Sequence, residues 1–178
     1  TGSAGPQLSL RGPPVIEHAV EVVVAGAGFA GSLTASIIDR IGLPVALIDQ
    51  ATHPRFAIGE SSTPIADMLL RDLTQEYDLP RIAPLSSYGS WKQAYPNIAC
   101  GLKRGFSYFQ HQEHQSFCAT ADHAGEMLVA ASASDGVGDT HWYRPDVDGF
   151  FADEVTAAGI PFLDATRLTS VVETTDGR

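Results

Sequence analysis

A glycine-rich turn between a predicted strand and a predicted helix constrains this chain more than any other feature. The six residues of the turn are Gly26, Ala27, Gly28, Phe29, Ala30 and Gly31. A continuous apolar run at residues 20–25 precedes it, as expected for a strand of a parallel sheet that is buried on both faces. Residues 29–41 follow with apolar side chains at helical spacing, and Gly42 ends them. This context predicts a helix whose N-terminus can bind a phosphate group.

Each glycine of the turn has a separate physical role in dinucleotide binding. Gly26 permits the tight turn, Gly28 lets the backbone approach a pyrophosphate, and Gly31 allows the helix to pack closely on the strand. The helix N-terminus, at Phe29 and Ala30, supplies N–H donors and the positive end of the helix dipole. We therefore expect these five residues to contact a bound dinucleotide.

A second buried strand is predicted at residues 45–49, and it ends on an acidic residue. A strand, turn, helix and strand within about 30 residues form a βαβ unit, so we expect a right-handed crossover and a parallel sheet. Asp49, at the tip of this strand, is positioned to accept hydrogen bonds from a ribose hydroxyl group. Taken alone, these residues fit FAD and NAD equally well.

The next part of the chain predicts a helix and then a long irregular segment. The helix runs from Pro64 to about Tyr77, with Thr63 as its N-cap. Its apolar side chains at helical spacing are Ile65, Met68, Leu69 and Leu73. Residues 78–99 lack periodicity and are interrupted by prolines, so we interpret them as a loop that covers a functional site.

Further strands are predicted in the second half of the chain. Residues 105–109 and 126–131 are short runs that could pair in a separate antiparallel sheet. A helix over residues 145–159 leads to a third parallel strand at 160–163, and residues 167–173 form one more strand. The fold class is therefore α/β, with a parallel sheet and an additional antiparallel β region.

The length of 178 residues and an apolar content of 44% allow one domain with a sizeable core. Residues 1–18 are rich in Gly, Ser and Pro, so we expect a flexible tail, with the domain over residues 19–178. The closing Asp176-Gly177 pair is a hairpin-turn signal with no strand after it. We therefore expect a truncated domain whose fold continues beyond this sequence.

Charge and composition exclude several classes of protein. A formal net charge of −10 argues against nucleic acid and anionic membrane surfaces as partners. Neither a membrane-spanning run nor a signal peptide is present, which predicts a cytoplasmic protein. Cys100 and Cys118 form no CxxC pair, so we expect two free thiols. The spacing of His111, His114 and His123 fits no standard ligand pattern, and we predict no metal.

Three stretches of the sequence carry a resemblance to a known family. Residues 53–64 read HPRFAIGESSTP, a Lys-Arg-Gly stretch begins at Lys103, and residues 142–148 read WYRPDVD. In this order they resemble the flavin-dependent halogenases, a tryptophan halogenase-like branch of the FAD-binding fold shared with aromatic hydroxylases. The resemblance spans residues 20 to about 159. It implies a Rossmann-like FAD-binding fold, of which this chain is the N-terminal part, and FAD rather than NAD as cofactor.

The resemblance also implies cofactor-binding residues outside the glycine turn. They are Arg55, Glu60, Ser61, Ser62 and Arg144. A guanidinium group at Arg144 could lie near the FAD pyrophosphate, since its fixed fork of donors suits phosphate oxygens. The alternative for Arg144 is an ion pair with Asp146 or Asp148 at the start of its helix. Arg55 is open to the same two interpretations.

One lysine receives a catalytic role from the resemblance. In the family, reduced flavin, oxygen and halide give hypohalous acid, which travels through a tunnel to a lysine beside the substrate; the resemblance puts Lys103 there. Partial desolvation would lower the pKa of this ammonium, which could hydrogen-bond to hypohalous acid and polarise it. The alternatives are that Lys103 is an ordinary strand-edge lysine that prevents aggregation, or that Lys92 is the functional lysine.

The resemblance thus implies an FAD-dependent oxidoreductase that halogenates an aromatic or related small molecule, with a separate flavin reductase as partner. A monooxygenase or reductase of the same fold, with a structural Lys103, stays open. So does a non-catalytic nucleotide-binding fragment. The family's W-x-W-x-I-P motif, which would separate the first two functions, lies beyond this chain. We expect the fragment alone to be inactive.

Overall fold

The computed structural model describes residues 18–130 and 132–173 of the chain. Its α-helices are α1 (Phe29–Arg40), α2 (Pro64–Glu76), α3 (Tyr88–Ala94) and α4 (Arg144–Ala157). Its strands are β1 (Val22–Ala25), β2 (Val45–Ile48), β3 (Cys100–Lys103), β4 (Phe106–Phe109), β5 (Glu126–Val129), β6 (Asp139–Trp142) and β7 (Phe162–Leu163). Residues 1–17 of the expected tail and the Asp176-Gly177 turn lie outside the described residues.

A three-stranded parallel sheet in the order β1-β2-β7 organises the N-terminal part. Helix α1 connects β1 to β2, which confirms the predicted βαβ unit, and α4 packs on α1 and leads into β7. The central strand β2 is buried along its whole length. The prediction that the first strand is buried on both faces is wrong for the described residues, because β1 lies at the sheet edge and Val23 is 54% exposed.

The extra strand predicted at residues 167–173 is also wrong, since this segment has no regular structure. Its β-branched residues Val171 and Val172 are exposed. A strand is stable only when a neighbour satisfies its backbone N–H and C=O groups. Among the described residues, no strand lies beside this segment.

Two small antiparallel sheets complete the β structure. Strands β4 and β5 pair with Phe106 opposite Val129, which confirms the predicted antiparallel region. Strands β3 and β6 form a second pair that the sequence did not predict, with Lys103 directly opposite Asp139. This pairing determines which charged side chains meet in the site described below.

The segment at residues 78–99 is not the covering loop that its prolines suggested. It folds into a 3₁₀ helix, Ala83–Ser86, and into α3. Leu85 and Trp91 from this segment are fully buried, and the Trp91 indole N–H donates to the Ile98 carbonyl at 3.1 Å. Proline is compatible with the first turn of a helix, because N–H groups there have no acceptor within the helix and the absence of one breaks no hydrogen bond. The segment therefore belongs to the hydrophobic core.

Helix α2 forms where the sequence predicts it, but it buries a different face. Its N-cap is Thr63, whose hydroxyl accepts the Ala66 N–H at 3.2 Å. The buried side chains of the helix are Asp67, Leu70 and Thr74. The predicted apolar residues Ile65, Met68 and Leu69 are 44–65% exposed instead. The core contacts of α2 come from the segment that follows it, so that segment selects the buried face.

Helix α4 ends where the sequence predicts, just before Gly159, which has φ +82°. This left-handed conformation suits glycine, and it turns the chain towards β7. None of the helices within residues 18–130 and 132–173 is long and apolar enough to cross a membrane.

The buried carboxyl group of Asp67 predicts a pH-dependent stability. Burial raises the pKa of Asp67 from an ordinary value of 3.8 to about 7, and the neighbouring Asp139 adds to this. The folded protein therefore holds a proton that the unfolded chain releases, so this contribution to stability falls as pH rises from about 4 to about 7. We expect Asp67→Asn to remove this dependence.

Urea unfolding of the whole protein at several pH values in this window measures the free energy of unfolding. The matched control is Asp72→Asn, which changes an exposed carboxylate on the same helix. A difference between wild type and Asp67→Asn that stays constant with pH would contradict the prediction.

Candidate functional site

The glycine turn joins the end of β1 to the start of α1 in a tightly packed arrangement. Gly26 has φ +107°, in the left-handed region that favours glycine. A Cβ atom at Gly31 would overlap the carbonyl oxygen of Gly26, so helix and turn can approach this closely only with glycine there. The Ala27 N–H donates to the Asp49 carboxylate at 2.7 Å. The turn and the tip of β2 are thereby fixed to each other.

A cleft of about 600 Å³ opens beside this turn. Its lining includes Gly26, Asp49, Arg55, Phe56 and Thr166. Although burial opposes it, hydrogen bonds from the backbone of Ala51 and Ala27 and the charge of Arg55 lower the pKa of Asp49. The cleft therefore presents an ionised acceptor at the end of the second strand, and its volume is in the range of small-molecule sites.

Two guanidinium groups converge on Gly28. A Cβ atom at this position would lie 3.5 Å from Nη2 of Arg55 and 3.5 Å from Nη2 of Arg144. Nη2 of Arg55 lies 3.4 Å from the Asp49 carboxylate, whereas its buried Nε has no hydrogen-bond partner among the described residues. Both guanidinium groups therefore lie within van der Waals distance of the position that a side chain at Gly28 would take.

Arg144 makes the ion pair that the sequence left as one of two interpretations. Its Nε and Nη2 donate to the two carboxylate oxygens of Asp148, each at 2.9 Å. Its Nη1 donates to the carbonyl oxygen of Ile58 at 2.7 Å. The same Asp148 carboxylate accepts the Phe29 N–H at 3.1 Å. Arg144 and Asp148 thus tie the start of α1 to the segment around Ile58.

The segment at residues 58–62 runs from this ion pair to the β3–β6 sheet. The Glu60 carbonyl accepts the Trp142 N–H at 2.6 Å, and the Ser62 N–H donates to the Thr140 carbonyl at 3.0 Å. The structure therefore places Ser61 and Ser62 against the β3–β6 sheet, and Glu60 with an exposed side chain between them and the glycine turn.

Lys103 lies at the far end of this segment with its ammonium group enclosed. Its Nζ donates to the Ser61 hydroxyl and to the Ser62 carbonyl, both at 2.6 Å, and lies 3.6 Å from the centre of the Phe106 ring. The residue is 7% exposed, which does not fit a solvated strand-edge lysine. Burial lowers the pKa of Lys103, while the charges of Asp139 and Asp67 oppose this.

Sequence reasoning did not identify the two carboxyl groups beside Lys103. Asp67 lies in the first turn of α2, where acidic residues are common because they interact favourably with the helix dipole. Its position in the sequence therefore does not distinguish it from an ordinary exposed aspartate. Its spacing with Leu70 and Thr74 was the one available signal of burial. Asp139 becomes a neighbour only through the β3–β6 register, which no sequence pattern specified.

The other candidate residues have separate surroundings. Lys92 lies on α3, with its Nζ 6.0 Å from the centre of the Tyr88 ring. Burial raises the pKa of the nearby Cys100 thiol, and the charge of Lys92 opposes this. His114 and His123 lie in the connection between β4 and β5 and each has a glutamate beside it. Within residues 18–130 and 132–173, no three His, Cys, Asp or Glu side chains cluster closely enough to hold a metal ion.

Comparisons with known proteins agree with this geometry. Residues 21–77 match the tryptophan halogenase family. Among curated proteins, monodechloroaminopyrrolnitrin halogenase PrnC from Pseudomonas fluorescens is 28% identical over 88% of this chain, and tetracycline 7-halogenase from Kitasatospora aureofaciens is 27% identical over 73%. Among solved structures, halogenase PltM in complex with phloroglucinol and FAD is 33% identical over 88% of this chain, with a TM-score of 0.73.

The chain spans only part of each of these relatives. It covers 27% of PrnC, 22% of the tetracycline halogenase and 30% of the PltM chain. The sequence matches and the shared fold nevertheless agree: over the part of each relative that it covers, this chain is similar to the flavin-dependent halogenases.

Proposed function

We propose that this chain is part of an FAD-dependent halogenase that acts on an aromatic or related small molecule. One observation carries the proposal: the segment at residues 58–62 encloses the Lys103 ammonium at one end and contacts the Arg144–Asp148 pair beside Gly28 at the other. A cofactor site and a buried lysine are thereby connected by one short stretch of backbone. Both are needed for the proposed chemistry.

The residues around the glycine turn fit FAD. The lack of a side chain at Gly28, beside the guanidinium groups of Arg55 and Arg144, suits the close approach of a pyrophosphate, and the ionised Asp49 suits a ribose hydroxyl group. Arg144 adds positive charge and positions the turn through Asp148. Halogenase PltM, which shares this fold, has been solved with FAD.

We assign further FAD contacts to Gly26, Phe29, Ala30 and Gly31 of the turn. We assign others to Glu60, Ser61 and Ser62 of the segment at residues 58–62. The amide groups at the start of α1 are the donors that a helix N-terminus offers to an anion. Ser61 and Ser62 would act at the lysine end of the segment, where their oxygens already hold Lys103.

When bound, FAD would supply the redox chemistry by which oxygen oxidises halide to hypohalous acid. Lys103 would then orient hypohalous acid by donating a hydrogen bond to its oxygen, which weakens the oxygen–halogen bond. The substrate carbon forms a bond to the halogen, the oxygen leaves as water after gaining a proton, and the substrate loses one proton. Ser61 and Ser62 would hold the ammonium in place during this transfer.

The proposal includes small-molecule substrates and a separate flavin reductase that provides reduced FAD. The names of the relatives support the first point, since PltM was solved with phloroglucinol and another relative is a tetracycline halogenase. A monooxygenase or reductase of the same fold would retain the FAD site and use Lys103 only as a structural group.

Gly28→Val should abolish FAD binding by the whole protein without unfolding it. The branched side chain would fill the space beside the Arg55 and Arg144 guanidinium groups through which a pyrophosphate approaches the backbone. Equilibrium titration with FAD, and with NAD as a second ligand, measures the effect, and circular dichroism checks the fold. Undiminished FAD binding by the variant, or tighter binding of NAD than of FAD by wild type, would refute the assignment of this cleft.

Lys103→Ala should reduce halogenated product by about 100-fold or more while oxidation of reduced FAD continues, because the lysine acts after hypohalous acid has formed. Product yield and oxygen consumption are measured together, with reduced FAD supplied by a separate reductase. Lys92→Ala is the matched control, and it should keep the wild-type yield.

Two outcomes would contradict this assignment. If Lys92→Ala loses product and Lys103→Ala does not, the functional lysine lies on α3. If wild type oxidises FAD and inserts oxygen instead of halogen, the protein is a monooxygenase.

A further inference from the structure

Three charged side chains from three different elements are buried together behind the serines that hold Lys103. Asp67 of α2, Asp139 of β6 and Lys103 of β3 are each no more than 7% exposed. The register of the β3–β6 pair sets Lys103 directly opposite Asp139. Both carboxyl groups act electrostatically on Lys103, so the three form one interacting cluster.

The cluster contains more carboxyl groups than its single ammonium can neutralise. One buried oxygen of each carboxyl group, Oδ1 of Asp67 and Oδ2 of Asp139, has no hydrogen-bond partner within the described residues. Two ionised carboxylates with unsatisfied oxygens would carry a large desolvation cost. One proton held between them gives a donor that an ionised pair lacks, and it leaves one negative charge to balance the ammonium.

Protonation of the pair is coupled to the state of Lys103. Burial, reinforced by Asp139 and opposed by the Ser62 hydroxyl and Lys103, raises the pKa of Asp67 to about 7. Asp139 and Asp67 in turn raise the pKa of Lys103 against the effect of its burial. When ionisable groups interact strongly, the apparent pKa values belong to the coupled set and not to any single residue.

Ser62 connects the pair to the lysine. Its carbonyl oxygen accepts a hydrogen bond from the Lys103 ammonium at 2.6 Å, and its hydroxyl accepts the Thr140 N–H at 3.1 Å and acts to lower the pKa of Asp67. Thr140 is fixed in turn by the Trp142 indole N–H, which donates to its hydroxyl at 2.7 Å. Asp67 follows this segment directly at the start of α2, and Asp139 stands opposite Lys103 in the sheet, so both carboxyl groups belong to the elements that orient the ammonium.

We propose that Asp67 and Asp139 are positioning residues that act through Lys103, sharing one proton and holding one negative charge that keeps the lysine an ammonium directed at Ser61 and Ser62. For its catalytic meaning, this inference rests on the proposed halogenase function. Asp67 and Asp139 themselves lie behind the ammonium and transfer nothing to substrate.

The test measures the reactivity of Lys103 as a function of pH, which needs no halogenation. The whole protein is treated briefly with acetic anhydride over a range of pH, and acetylation of the peptides that contain Lys103 and Lys92 is quantified by mass spectrometry. Because only the neutral amine reacts, the midpoint of the pH profile reports the ammonium's titration. Lys92 provides an internal reference from α3.

Above about pH 7 the shared proton is lost and both carboxylates act on Lys103. Removing either one, in Asp67→Asn or in Asp139→Asn, should therefore lower the Lys103 midpoint by about 1 pH unit, with the Lys92 midpoint unchanged. Asp67→Glu, which keeps the carboxyl group, should restore the Lys103 midpoint towards wild type. Asp135→Asn is the matched control, because Asp135 is an exposed carboxylate paired with Arg104, the residue next to Lys103. It should leave the midpoint in place. A wild-type Lys103 midpoint in folded Asp67→Asn or Asp139→Asn would overturn the proposal.

A measurement on the wild-type protein needs no variant to fold. With aspartate carboxyl carbons labelled with ¹³C, the proposal requires a carboxyl group that still carries its proton at about pH 6 and titrates near 7. Complete ionisation of every aspartate below about pH 5 would refute the shared proton. If these tests succeed but the wild-type protein gives no halogenated product, the proposed function fails while the role of the pair in positioning Lys103 stands.

Discussion

The buried carboxylate of Asp148 holds together parts of the molecule that are far apart in the sequence. It accepts two hydrogen bonds from Arg144 and one from the Phe29 N–H, and it is fully inaccessible to solvent. An unpaired charge at this position would be strongly destabilising, so these contacts must form together when the protein folds. The start of α1, the start of α4 and the segment at Ile58 are thereby fixed around the glycine turn.

This arrangement also connects the cleft beside the glycine turn with Lys103, which lies on a different sheet. The segment at residues 58–62 is fixed at one end by Arg144 and along its length by hydrogen bonds to β6. The segment therefore fixes Ser61 and Ser62, which accept hydrogen bonds from Lys103, relative to the glycine turn. Side chains of a site keep their geometry when packing and hydrogen bonds of the surrounding residues support them, and these backbone hydrogen bonds provide such support.

The parts of the fold that could be predicted are those whose signals are local. The glycine turn, α1, the central strand β2 and the limits of α2 and α4 follow from hydrophobic periodicity and from capping residues such as Thr63 and Gly159. The prediction of a loop at residues 78–99 was wrong because a proline at the start of a helix and a proline in a loop give the same sequence signal. The prediction of which face of α2 is buried was wrong because the helix packs against residues 78–99, whose structure was itself not predicted.

The candidate site divides in the same way. The sequence by itself determined the glycine turn and the position of Asp49 at the end of β2, because residue type and order along the chain carry that information; Lys103 was selected by the family resemblance. Only the tertiary structure decided that Arg144 pairs with Asp148, that Arg55 lies beside Asp49 and Gly28, and that Asp139 stands opposite Lys103. These features depend on strand register and on which helix faces meet. Both are settled by long-range packing and by the cost of burying unpaired charge, which no local pattern encodes.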